Sequence, residues 1–107
     1  MYPVKWQVAT ISENYFQDVR DFLEIFSERM REVDGYFVFD IFSEKKCVAQ
    51  FTIEVGTVNG YVLYLYLHDR KYTKVVSVID NLRQFSGVRI TDNFDFIEKL
   101  AKTTGKG

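Results

Sequence analysis

The sequence predicts an α+β fold, a two-layer sandwich whose mainly antiparallel sheet is built on a three-strand meander with its helices on one face. Two observations carry this. Between Gly35 and His68 three runs rich in β-branched and aromatic residues follow one another, 35–42, 47–55 and 60–68, each bounded by turn chemistry. On either side, 15–33 and 72–85 repeat apolar residues every three or four positions, which is the helical period. With a strand at the start and a short strand and helix at the end, the predicted order is β-α-β-β-β-α-β-α.

Val4 to Thr10 sets Val4, Trp6 and Val8 against Lys5, Gln7 and Ala9, the alternation of a strand with one wet face, and its position suggests an edge. Ser12 is placed to cap a helix with Glu13 in its first turn. That helix is expected to carry one stripe of Tyr15, Phe16, Val19, Phe22, Leu23, Phe26, Met30 and Val33. Gln17, Arg20, Asp21, Glu24, Glu28 and Arg31 lie on its outer side, and Gly35 ends it in a left-handed conformation.

In the meander, the loop 56–60 sets Val55 opposite Tyr61, Ile53 opposite Leu63, Phe51 opposite Leu65 and Ala49 opposite Leu67. One face is then aliphatic. The other pairs Glu54 with Val62, Thr52 with Tyr64, Gln50 with Tyr66 and Val48 with His68. The first hairpin has no glycine in Ser43–Lys46 to fix a turn. An even loop would bring Phe37, Phe39 and Ile41 into line with Thr52, Gln50 and Val48; an odd register with a bulge matches them to Ile53, Phe51 and Ala49 and is the one expected.

Asp69 is placed to cap a second helix bearing Tyr72, Val75, Val76, Ile79, Leu82 and Phe85, with Gly87 at its end. Val88–Thr91 reads as a short strand, and Phe94, Ile97, Leu100 and Ala101 as the stripe of a last helix. Residues 1–101 are expected to form a single domain and 102–107 a flexible tail.

The 14 basic and 15 acidic residues nearly cancel, so any pull toward nucleic acid must come from a local patch. The longest apolar run, Tyr61–Leu67, is far shorter than the roughly 20 residues that span a bilayer, and no membrane partner is expected. One cysteine excludes an internal disulfide. No secretory leader is read at the start, and a cytoplasmic location is expected. Catalysis has little to use: one histidine and one cysteine, with Cys47 expected on the core side and His68 on the tyrosine side, and no metal-ligand spacing. No cofactor or metal is expected, and a non-enzymatic role is favoured.

Two sites remain. Arg70, Lys71 and Lys74 crowd the first turns of the second helix, where free backbone amides and cations together suit a phosphate or carboxylate. The second sheet face gathers Tyr36, Val38, Phe42, Val62, Tyr64, Tyr66 and His68 among Asp40, Gln50, Thr52 and Glu54, too apolar for open water and too polar for a core. The expected function is a small binding or regulatory module that forms a homodimer, or binds a protein partner, through that face. The alternatives are a nucleic-acid binder using the face with the basic helix start, and, third, a small enzyme or nuclease subunit.

Overall fold

The computed structural model describes residues 4–56, 60–68 and 72–91. Strand β1 (Val4–Ser12) leads through a 3-10 turn (Glu13–Tyr15) into helix α1 (Phe16–Phe26). Four strands follow, β2 (Arg29–Val33), β3 (Tyr36–Ser43), β4 (Lys46–Val55) and β5 (Gly60–Leu67). Helix α2 (Tyr72–Leu82) and strand β6 (Val88–Ile90) complete the described chain. The strands form one six-stranded sheet in the order β2-β3-β4-β5-β1-β6, antiparallel throughout. The expected α+β class holds. The expected last helix over 94–101 and the tail lie outside the described residues.

The meander has the register that hydrophobic matching demands. Val55 pairs with Tyr61, Ile53 with Leu63, Phe51 with Leu65 and Ala49 with Leu67. Across β3 and β4, Phe37 pairs with Ile53, Phe39 with Phe51 and Ile41 with Ala49, after which a bulge shifts the register so that Phe42 meets Cys47. The bulge reconciles this pairing with a two-residue turn in which Glu44 and Lys45 both take positive φ, 52° and 69°.

Three expectations need correction. Helix α1 stops at Phe26, so Met30 and Val33 leave the helical stripe and become part of β2. The reason lies in Asp34-Gly35, which have φ of 51° and 84° and form a two-residue hairpin turn between β2 and β3 rather than a helix cap. Second, β1 begins with its bonds to β5 on one side and ends with β6 on the other, so it is an interior strand and not an edge. A bulge between Gln7 and Ala9 breaks its alternation and buries both Val8 and Ala9 completely. Third, Gly87 does not end α2. A β-carbon there would stand 2.1 Å from Cδ2 of Tyr15, so glycine is required for the close approach of that ring.

The core lies between the aliphatic sheet face and the two helices. Phe39, Phe51, Leu63, Leu65 and Ile11 from the sheet are buried with Val19 and Leu23 of α1 and Val75, Val78, Ile79 and Leu82 of α2. Phe16 tilts onto the Phe37 and Tyr61 rings at 6.0 and 4.4 Å, which ties α1 to the same side. Each fully buried large apolar side chain contributes about 1.5–3 kcal/mol. Glu28 joins the layers from outside: its carboxylate takes the Phe42 N–H at 2.9 Å and the Lys74 ammonium of α2.

Two stability predictions follow from this packing. Phe51→Ala should cost about 3–5 kcal/mol in denaturant unfolding, because the cavity would open under both helices. The double change Glu44→Asn with Lys45→Gly should raise stability by about 1 kcal/mol, since both positions are held in a left-handed conformation without the residues that favour it. A loss below about 1 kcal/mol in the first case, or destabilisation in the second, would contradict the described register.

Candidate interaction face

The side of the sheet away from the helices is uncovered among the described residues. Strand parity puts Arg29, Arg31 and Val33 of β2 on it with Tyr36, Val38 and Asp40 of β3, Gln50, Thr52 and Glu54 of β4, Val62, Tyr64 and Tyr66 of β5, and Lys5 and Gln7 of β1. Every residue named from the sequence for this face is described. Tyr36 and His68 are exposed, Phe42, Val62, Tyr64 and Tyr66 half-buried, and Val38 buried.

At its centre is a carboxylate with no solvent contact. Asp40, 0 % exposed, accepts hydrogen bonds at Oδ2 from Arg29 Nε (2.6 Å) and Arg31 Nε (2.9 Å), and at Oδ1 from Arg31 Nη2 (3.1 Å) and Gln50 Nε2 (2.8 Å). Burial pushes the Asp40 pKa up, but the bonds from Arg31, Gln50 and Arg29 outweigh it and hold the carboxyl below its ordinary 3.8. Because Gln50 uses its amide N–H on Asp40, its Oε1 is left to accept, so His68 Nε2, 2.8 Å away, is the donor of that bond. A chain of hydrogen bonds thus runs from the exposed His68 through Gln50 to the arginines of β2.

The tyrosine side is organised by Lys5. Its ammonium stands 4.1 Å from the Tyr64 ring centre and 5.7 Å from that of Tyr66, and forms an ion pair with Glu54 at 3.4 Å. On the other side Arg29 lies 5.6 Å from the Phe42 ring centre. Lys5 and Arg29 thus each have an aromatic neighbour and a carboxylate partner within the face, and Arg31 a carboxylate partner.

Cys47 is not where the sequence placed it. The bulge brings it opposite Phe42, close enough to Asp40, Arg29 and Arg31 to feel their charges, so it belongs with the polar side. Burial and the Asp40 charge push its thiol pKa up, which is the wrong direction for a nucleophile. Among the described residues no group of three or more His, Cys, Asp and Glu is gathered to hold a metal. No helix there is long and apolar enough to cross a membrane.

Of the basic cluster, Arg70 and Lys71 lie outside the described residues. Lys74 is occupied by the Glu28 carboxylate and by the Phe42 carbonyl at 3.1 Å. Arg29 and Arg31, at the heart of the face, are not identified from the sequence, because the apolar spacing through Met30 and Val33 predicts helix there. Their alternation with Met30 ahead of Asp34-Gly35 was the available signal. Compared with protein-family models, curated proteins and solved structures, the chain matches none.

Since the folded Asp40 value is depressed, its contribution to stability is fully present above 3.8 and is lost as pH falls through the lower folded value. Asp40→Asn should cost about 1–3 kcal/mol near neutrality, less than a fully buried pair because Arg29 and Arg31 stay 55 % and 37 % exposed. Urea unfolding of both proteins across the acid range checks this. The variant should lose the part of the acid-range slope that Asp40 causes, and an unchanged slope would contradict the assignment.

Proposed function

We propose that the protein is a small non-enzymatic binding or regulatory module that pairs with a second copy of itself through the open tyrosine-bearing face. One observation supports this: apolar and aromatic surface lies on that face together with cations already engaged by carboxylates of the same face. Arg29 and Arg31 are bound to Asp40, and Lys5 to Glu54. A surface made for phosphates keeps its cations available to them. A surface made for another protein pairs or removes its charges and keeps Tyr and Arg at the centre.

The distribution of groups favours a copy of the same chain. Arginines lie on the β2 side of β4 and tyrosines on the β5 side. A second subunit turned about a two-fold axis that runs along the strands between β3 and β4 lays Arg29 and Arg31 over its partner's Tyr64 and Tyr66, and the reverse contact follows by symmetry. Each guanidinium-on-ring contact of this kind contributes about 0.5–2 kcal/mol. The edges offer less. β2 carries Arg29, Arg31 and Glu32, and β6 is only three residues long, both of which discourage strand-to-strand association. On this reading the protein works in a reducing compartment, where Cys47 stays a thiol.

The nucleic-acid alternative draws on the interleaving of Lys5, Arg29 and Arg31 with Tyr64 and Tyr66. Sedimentation in the micromolar range separates the two. The wild type should be a dimer and Tyr64→Asp a folded monomer, because the new carboxylate would be desolvated in the interface without a partner. A wild type that stays monomeric at millimolar concentration would overturn the proposal. A complex with added oligonucleotide that fades as salt rises would favour the alternative.

A further inference from the structure

A cleft of about 380 Å³ opens where β1, β5 and β6 meet, at the end of these strands and apart from the Asp40 cluster. That volume falls in the range of small-molecule sites, about 300–1,000 Å³. Arg89 lines it, and Arg89 differs from the other described arginines. Arg20 is paired with Asp21 and Glu24, Arg29 and Arg31 with Asp40, and Arg83 with Asp80, whereas Arg89 has no acidic partner among the described residues. Among the described residues no carboxylate lines the cleft.

The neighbouring groups are donors. Thr10 stands directly opposite Arg89 in the β1–β6 ladder, and Ser12, two residues on, makes no capping bond to the turn that follows it. Both hydroxyls are free to turn toward a ligand. The walls are fixed by backbone bonds, Ser12 N–H to Gly87 O and Gly56 N–H to Gly60 O, each 2.8 Å. Gly87 is in turn locked against Tyr15, whose hydroxyl meets Ser86 Oγ at 2.6 Å. Val62 and Tyr61 add an apolar side.

We infer that this cleft binds a small molecule carrying an oxyanion, a carboxylate or a phosphate ester, with Arg89 forking the anion and Thr10 and Ser12 donating to it. An unpaired guanidinium matches the planar spacing of such oxygens, and the lack of a competing carboxylate leaves it available. The apolar wall suits a short carbon body attached to the anion. The anion-binding groups of this site, Arg89, Thr10 and Ser12, take no part in the self-association reading, although Val62 borders both.

Amide and arginine side-chain NMR titrations with inorganic phosphate and with succinate, at constant ionic strength, test it. Saturable shifts should appear at Gly56, Gly60, Gly87 and the Arg89 side chain, and the anion that saturates first identifies the source of the oxyanion. Arg89→Gln should weaken binding by about tenfold or more with the rest of the spectrum unchanged, and Arg89→Lys should fall between. No saturable shift with either anion, equal affinity in Arg89→Gln, or shifts confined to 70–74 would overturn the inference.

Discussion

A carboxylate removed from water in the middle of a sheet dictates much of this architecture. Asp40 sits in the run Phe-Val-Phe-Asp-Ile-Phe of β3, and an unpaired charge there would cost several kcal/mol. Its partners must come from the adjacent strands, and they do: Arg29 directly opposite, Arg31 two residues on, and Gln50 from the other side. This requirement favours 29–33 as a strand. A helix continuing past Phe26 would carry the two arginines away from Asp40. The cluster thus shortens α1, adds a strand to the meander and joins three strands side by side.

The same cluster sets the character of the open face. By binding both arginines through Nε, Asp40 turns a pair of flexible cations into fixed, planar groups whose outer edges remain half exposed. Lys5, bridging Tyr64 and Glu54, does the same on the tyrosine side. Ordering these side chains before association lowers the entropy cost of contact, which is where a small protein gains affinity without more area. The aliphatic face needs no such arrangement, because the stripes of α1 and α2 cover it.

How much of this was legible in the sequence depends on which period decides. Parity settled the meander: Phe51 could match Leu65 and Phe39 together in only one register, and that register called for the bulge. The face residues from Tyr36 to His68 followed directly. Strand β2 was obscured because Met30 and Val33, three residues apart, prolong the helical stripe although in the strand they lie on opposite faces, and only the turn chemistry of Asp34-Gly35 separates the two patterns. The interior place of β1 was not legible, since pairing order is a tertiary property and the bulge at Val8 hides its second apolar side. Cys47 changed sides for the same reason, one extra residue in a strand. The Arg89 cleft was also beyond reach, because it is assembled from the ends of strands far apart in the chain.

Whether a second copy sits on the open face is tested most directly by intermolecular nuclear Overhauser contacts in a sample mixing isotope-labelled and unlabelled protein. Contacts should run from the Tyr64 and Tyr66 rings of one subunit to the Arg29 and Arg31 side chains of the other. Contacts centred instead on Ile25 and Phe26, the exposed apolar end of α1, or the absence of any contact at millimolar concentration, would contradict this arrangement.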